Sequence, residues 1–169
     1  MSNVGDYIVK AGHGVCRVDA VTYLKLSDSA EKRAYYVISP IEQDGIKLYI
    51  PEDKIDELTR SVMSGEQAWD LIEHINEIAP AEIADAKNCG KRCKDAIKNN
   101  DPRELVSVIK KMYERKKKRV FAGKDETETD RCFFKLLEDI LYSELAFAIG
   151  RNKSEIVSII KSIAVNKMT

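Results

Sequence analysis

The sequence has few of the residues on which metal sites, disulfide scaffolds and catalytic centres usually depend. Its 169 residues include four cysteines, two histidines and one tryptophan. Four scattered cysteines are too few for a disulfide scaffold in a chain of this length, so we expect reduced thiols. The two histidines lie in separate segments without metal-ligand spacing. The sequence therefore predicts neither a metal site nor a cofactor.

Long apolar runs are also missing. No run approaches the eighteen or so residues of a membrane span, and the N-terminal segment lacks the apolar core of a signal peptide. We therefore expect a cytoplasmic protein without membrane contact. We also find no nucleophile–base pair, no paired carboxylates and no glycine-rich phosphate loop. The sequence thus predicts a protein that is not an enzyme and has no small-molecule substrate.

The chain as a whole has no net charge, but one segment of it is strongly basic. The 28 basic residues balance the 28 acidic ones. Between Lys87 and Lys124, however, fourteen basic residues accompany four acidic ones, so this segment carries +10 and the remainder −10. Such segregation favours a surface that binds a polyanion. The other interpretation, a solvated helix end whose cations suit the helix dipole, stays open at this point.

The N-terminal third of the chain has the pattern of a small antiparallel sheet. Short runs rich in β-branched and aromatic residues alternate with turn signals, which predicts four strands at residues 6–10, 15–26, 34–39 and 46–50. A sheet this small must curl to bury one face, so we expect a small open β-barrel. β signals end near Lys54, and the rest of the chain predicts about five helices. The expected fold class is α+β, with domains at residues 1–60 and 61–169.

Capping patterns place several helix starts. Ser64 with Gln67, and Asp101 with Glu104, have the spacing of a capping box, and Pro102 suits the first position of a helix. We predict a helix over residues 80–99, a basic helix from Asp101, and a long helix over residues 125–149. We expect the apolar side chains of the long helix to point inward, as listed here: Cys132, Phe133, Leu136, Leu137, Ile140, Leu141, Leu145 and Ala148.

Two cysteines share a helix face within the basic segment. Cys89 and Cys93 are four residues apart, and neighbouring cations such as Lys91 and Arg92 would lower their pKa if the thiols were exposed. This pattern suits a redox site, but buried cysteines that act as small apolar residues have the same spacing. We favour the buried interpretation and keep a thiol-based redox enzyme as a distant alternative.

Four segments, taken in order, resemble one known family. They are VGDYIVKAGHGVCRV near the start, YYVISP followed by IKLYIP, NNDPRELVSVIKKMYERKKKR, and DRCFFKLLEDILYSELAFA near the end. In this order and spacing the chain resembles the CarD/CdnL group of bacterial transcription regulators. The N-terminal module of that group is shared with the transcription-repair coupling factor. The resemblance covers nearly the whole chain.

The resemblance implies a Tudor-like N-terminal domain that adds to an edge of the RNA polymerase β subunit. By position, the polymerase-binding residues would be Leu24, Lys25, Lys47 and Tyr49. It also implies a helical C-terminal domain that contacts promoter DNA. Relatives start their DNA-facing helix with a tryptophan, whereas this chain has Ala86 near the aligned position. The basic segment supplies the DNA-binding candidates Lys87, Lys91, Arg92, Lys94, Lys98, Lys117 and Lys118.

These observations predict a regulator that binds RNA polymerase and promoter DNA and modulates transcription initiation. The cationic side chains would contact phosphates without reading bases, so the polymerase would set the position on DNA. The principal alternative is a free-standing nucleic-acid-binding protein that has no polymerase partner.

Overall fold

A computed structural model describes residues 2–166 of the chain. The chain divides into two compact units, Met1–Val62 and Met63–Thr169. The first unit is built on a β-sheet and the second on helices, so the predicted α+β class is confirmed. We call them the sheet unit and the helical unit and describe each by itself.

The sheet unit contains five antiparallel strands in the order β4-β3-β2-β1-β5. A short helix, α1, lies between the last two strands and spans Ile55–Leu58. The strands are β1 (Tyr7–Lys10), β2 (Gly14–Leu24), β3 (Arg33–Pro40), β4 (Leu48–Pro51) and β5 (Thr59–Ser61).

The sheet differs from the prediction in two respects. It has a fifth strand, β5, because Thr59–Ser61 pairs with β1, a contact with a distant segment that the local sequence does not signal. The sheet also does not form a barrel, since the outer strands β4 and β5 do not pair with each other within the described residues. Closure into a barrel is unnecessary because Ile55 of α1 packs into the core and covers part of the inner face.

A bulge in β2 decides which side chains reach the outer face of the sheet. Val18 pairs with Ile38, but Ala20 pairs with Val37, so Asp19 is an extra residue. An extra residue reverses the alternation of side chains along a strand. Val18 therefore points into the core with Ile38, whereas Ala20 and the residues that alternate with it share the opposite face.

The helical unit contains five α-helices within its described residues. They are α2 (Gly65–Glu73), α3 (Cys89–Asn99), α4 (Pro102–Phe121), α5 (Glu128–Ile149) and α6 (Lys153–Asn166). One apolar core joins α2, α6 and the second half of α5, and another joins α3, α4 and the first half of α5. Among residues 2–166, no helix is long and apolar enough to cross a membrane.

The predicted caps form, with one change of partner. Ser64 and Gln67 make the reciprocal hydrogen bonds of a capping box at the start of α2. Asp101 accepts hydrogen bonds from the backbone N–H groups of Arg103 and Glu104 and so caps α4. The carboxylate of Glu104, however, accepts hydrogen bonds from the side chains of Arg92 and Asn99. It therefore links α4 to α3, which replaces the predicted capping box at Asp101.

Two predicted helices are wrong in detail. The helix predicted over residues 80–99 begins at Cys89, because the preceding segment forms hydrogen bonds with α4: Ala81 N–H donates to the Ser107 carbonyl, 2.9 Å away. The long helix begins at Glu128, after a cap by Thr127. Two of its residues predicted to point inward, Cys132 and Leu136, are exposed because they lie on its outer side.

Candidate partner-binding surfaces

The strand register places two predicted polymerase-binding residues on one face of the sheet. Tyr49 of β4 pairs with Val37 of β3, which pairs with Ala20 of β2. Leu24 lies four residues beyond Ala20 on the same strand and shares its side. Tyr49 is 53% exposed, and Leu24 is half-buried at the end of β2. We call the side that carries Leu24 and Tyr49 the β4 face.

The other two predicted residues are both lysines with exposed side chains. Lys25 follows the last residue of β2, and Lys47 precedes β4. The Lys47 ammonium lies 3.8 Å from the carboxylate of Asp19, the extra residue of the bulge. Arg17 Nε donates to the same carboxylate at 2.8 Å. Lys47 is therefore tied to the bulge as well as to the β4 strand.

The bulge carboxylate is stabilised in its charged form. The Ser39 hydroxyl and the Arg17 guanidinium donate hydrogen bonds to Asp19, and these bonds lower its pKa below the usual value, with a further contribution from Lys47. Because Ser39 lies on β3, this carboxylate joins two strands at the bulge. The ion pairs lie at the place where the outer face changes register.

Sequence reasoning missed the most exposed apolar side chains of the sheet unit. Tyr23, near the end of β2, is 68% exposed, and Leu26, two residues beyond the strand, is 78% exposed. Tyr35 and Tyr36, from the neighbouring strand, are buried instead. Tyr23 lies on the side of the sheet opposite Leu24, because successive residues of a strand point to opposite faces. Tyr23 pairs with Ala34, two residues from Tyr36 on β3, so the exposed Tyr23 and the buried Tyr36 share a face and differ in their place along it.

Three predicted DNA-binding lysines form a line along α3. Lys91, Lys94 and Lys98 recur at positions i, i+3 and i+7, on the side opposite the buried residues Cys93 and Ala96. All three side chains are exposed, and none pairs with a carboxylate of the described residues. We call these three residues the α3 lysine line.

Arg92 does not belong to this line. Its Nη1 atom donates to Glu104 Oε1 at 2.5 Å, and the arginine side chain is 31% exposed. Arg92 therefore holds α3 against the start of α4. The phase of the helix explains the difference, because Arg92 lies between the exposed side and the packed side of α3.

The basic run at the end of α4 is largely engaged within the helical unit. Arg115 Nε donates to Asp130 at 2.6 Å, Arg119 Nε donates to the Asp125 carbonyl at 2.8 Å, and Lys116 lies 3.7 Å from Glu126. The two predicted DNA-binding residues of this run, Lys117 and Lys118, are exposed and make no ion pair with the described residues. The Lys117 ammonium lies 5.2 Å from the centre of the Tyr113 ring.

A cleft brings the start of α3 close to the end of α4. Ala86 and Lys118 both line it, and Lys87 directly follows Ala86. Cys89 Sγ lies 3.2 Å from Met112 Sδ at the same junction. The segment that leads into α3 and the end of α4 therefore meet at this cleft, although they are some thirty residues apart in sequence.

With this geometry established, comparison with known proteins assigns the sheet unit. Residues 3–62 match the family model of the CarD-like/TRCF RID domain. The sheet unit is a CarD-like/TRCF RNA polymerase-interacting domain. The match does not extend into the helical unit. A search of curated proteins found no match to the chain.

The RNA polymerase-interacting domain gives the chain a role connected with transcription. Such a domain is a protein-interaction module and not a catalytic one. Its exposed residues on the β4 face fit recognition by contact area, whereas the lysines of the helical unit fit attraction by charge.

The cysteines of the helical unit are buried rather than reactive. Cys89 and Cys93 are both almost fully buried in the core between α3, α4 and α5. Desolvation raises the pKa of Cys93 to about 12 and also raises the pKa of Cys89. The favoured interpretation of these cysteines as buried residues is confirmed, and burial outweighs the attraction of the neighbouring lysines and arginines. A redox site at these thiols is therefore disfavoured.

Proposed function

We propose that this protein is a non-enzymatic regulator that binds the RNA polymerase β subunit and promoter DNA and thereby modulates transcription initiation. In this proposal residues 1–60 form the polymerase-interacting domain and residues 61–169 form the DNA-binding domain. The observation that carries the proposal is the match of residues 3–62 to the CarD-like/TRCF RNA polymerase-interacting domain.

The β4 face supports the polymerase half of the proposal. β4 is an outer strand of the sheet. Within the described part of the unit it pairs with β3 on one side, so its other edge is available to a strand of a partner protein. Tyr49 on this strand exposes half of its large side chain, and aromatic residues are enriched where proteins bind each other. We place Leu24, Lys25, Lys47 and Tyr49 in the contact with the β subunit.

The distribution of free cations supports the DNA half. The α3 lysine line, together with Lys87, Lys117 and Lys118, presents ammonium groups that no described carboxylate neutralises. Such groups bind phosphates and release the counterions that surround DNA. Arg92 belongs to the DNA-binding set of the sequence prediction, but its pairing with Glu104 supports a role in holding α3 to α4.

Tethering explains how two moderate contacts can suffice. Once the sheet unit binds the polymerase, DNA near the polymerase is at high effective concentration for the helical unit. Phosphate contacts carry no sequence information, so the polymerase would determine which DNA is bound. No large side chain stands at Ala86, and we therefore assign phosphate contact, rather than insertion between base pairs, as the mode of binding at the start of α3.

A crosslinking experiment tests the proposal on the full chain. A photoreactive amino acid at position 49 should crosslink to the β subunit when the protein is mixed with RNA polymerase, whereas the same group at position 23, on the opposite face, should crosslink weakly. DNA binding is measured separately by fluorescence anisotropy. DNA binding without any polymerase crosslink would instead establish a free-standing nucleic-acid-binding protein.

A further inference from the structure

The cleft between α3 and α4 has features that neither polymerase binding nor DNA binding uses. It encloses about 340 Å³, which lies within the range of small-molecule sites. One wall is formed by the segment that leads into α3, and the other by the second half of α4. The side chains on these two walls determine which ligand the cleft fits.

The α4 wall carries two arginines that are already held in place. Arg115 and Arg119 are one helical turn apart, and each uses its Nε atom for an internal bond, to Asp130 and to the Asp125 carbonyl respectively. Their terminal Nη atoms have no hydrogen-bond partner among the described residues. A guanidinium anchored through Nε keeps its remaining N–H groups in a fixed direction, which is the arrangement that binds phosphate oxygens.

The charge of the cleft matches a small anion rather than a long polyanion. Lys111 and Lys118 add two ammonium groups to the two arginines, and Asp85 and Glu114 are the acidic residues of the lining. The lining therefore has an excess of two positive charges, part of which Asp130 offsets behind Arg115. A phosphate monoester carries roughly −1.5 to −2 at neutral pH, which corresponds to this excess.

The opposite wall is apolar apart from Asp85, which also lines the cleft. Ile83, Ala86 and Cys89 supply its apolar surface, and Ala86 is small enough to leave the cleft open. An apolar wall that faces a cationic wall suits a ligand with a flat, weakly polar ring at one end and a phosphate at the other. A nucleobase linked to a sugar phosphate has this form, whereas inorganic phosphate would use the cationic wall alone.

We propose that this cleft binds a nucleoside phosphate, with the phosphate on Arg115, Arg119 and Lys118 and the base against Ile83 and Ala86. The same chemistry is offered by a free nucleotide and by the 5′-phosphorylated end of a nucleic-acid strand. The proposal shares Lys118 with the proposed DNA contacts, but its other residues lie outside the β4 face and outside the proposed DNA-binding lysines.

Isothermal titration calorimetry on the full chain tests the site. The probes are adenosine 5′-monophosphate, guanosine 5′-monophosphate, inorganic phosphate, adenosine, and a short single strand with and without a 5′-phosphate. Both monophosphates should bind more tightly than phosphate or adenosine alone, because each fragment reaches one wall only. Binding by the phosphorylated strand in place of the free nucleotides would support the same site and identify the strand end as its ligand.

Two variants with matched controls locate the binding. Ala86→Trp fills the cleft and should abolish binding, whereas Ala84→Trp adds the same side chain two residues away, outside the lining, and should retain it. Arg119→Gln should weaken binding about tenfold, the usual effect of losing a charge-assisted hydrogen bond. Lys98→Gln removes one charge from the α3 lysine line and should leave nucleotide binding unchanged. Circular dichroism confirms that each variant is folded.

Three results would overturn the proposal. The first is no measurable binding of either nucleotide or of the phosphorylated strand by the folded wild-type chain. The second is unchanged binding by Arg119→Gln and Ala86→Trp. The third is equal weakening by Arg119→Gln and Lys98→Gln, which would reduce the effect to general attraction between a cationic surface and an anion.

Discussion

The two units of this protein differ in how their charged residues are distributed and paired. The sheet unit, residues 1–62, has eight basic and ten acidic residues, and Asp19 gathers Arg17 and Lys47 around one carboxylate. The helical unit concentrates fourteen basic residues between positions 87 and 124 and then neutralises several of them internally. The charged residues of the sheet unit are distributed along its sequence. In the helical unit, some cations form internal ion pairs and others are exposed.

The difference indicates a division of labour in the proposed function. In that proposal the sheet unit would recognise its partner mainly through contact area and shape, with Lys25 and Lys47 adding charge. In the helical unit, the arginines mostly hold helices together, while the lysines of the α3 lysine line remain free for phosphates. Arginine suits fixed, directional pairs, and lysine suits mobile point-charge contacts. Recognition therefore falls to the sheet unit and general affinity to the helical unit.

The largest effect is expected when the charge of the α3 lysine line is reversed. Replacing Lys91, Lys94 and Lys98 together with glutamate should lower affinity for duplex DNA about a hundredfold at low salt and flatten the salt dependence. Each lost phosphate contact removes about 0.9 from the log–log slope. Fluorescence anisotropy over a range of salt concentrations measures both quantities. The exposed Lys135→Glu on α5 serves as the control, and an equal loss there would show that the line is not a distinct surface.

The corresponding test on the sheet unit removes an aromatic side chain. Tyr49→Ala should lower affinity for RNA polymerase about tenfold, because half-exposed aromatic residues at a contact often contribute more than 1 kcal/mol. Lys47→Glu, immediately before the same strand, should act in the same direction. Tyr23→Ala removes a tyrosine of similar exposure from the opposite face and should have little effect. If Tyr23→Ala weakens binding more than Tyr49→Ala, the polymerase surface lies on the other side of the sheet.

The features that the sequence predicted well are those set by near neighbours. The Ser64 and Asp101 caps depend on residues two or three positions away, and they form as expected. Strand β5 and the late start of α3 depend on distant partners, namely β1 and the Ser107 carbonyl, so the local pattern could not signal them. The lysines of the α3 lysine line recur in the sequence at helical spacing. The number of basic residues alone, however, did not distinguish these exposed lysines from Arg92, which pairs with Glu104.

A smaller effect tests whether the α4 cap serves the helical unit alone. Asp101→Ala should lower the free energy of unfolding by about 1 kcal/mol, because two backbone N–H groups lose their acceptor. Asn88→Ala is the matched control: Asn88 occupies the N-cap position of α3, but its side chain makes no capping bond. Chemical denaturation measures both variants. Polymerase affinity of the folded Asp101→Ala protein should stay unchanged, and a parallel loss would contradict the separation of the two functions.

The smallest expected effect concerns the charged group at the bulge. The hydrogen bonds from Ser39 and Arg17 depress the pKa of Asp19 in the folded protein, below the value of about 3.9 for an unperturbed aspartate. A depressed pKa stabilises the fold above the unfolded value, and this stabilisation is lost as pH falls through the folded pKa. The free energy of unfolding of the wild type should therefore decline below about pH 4.

Asp19→Asn keeps the shape of the side chain but removes the titrating group, so its stability should depend less on pH in that acidic window. Asp44→Asn, which changes an exposed carboxylate without an ion-pair partner among the described residues, should keep the wild-type pH dependence. Urea denaturation at several pH values between about 2.5 and 6 compares the three proteins around the unperturbed aspartate pKa. Identical pH profiles for Asp19→Asn and the wild type would show that the bulge carboxylate does not stabilise the sheet. The strand register that forms the β4 face would then rest on packing alone.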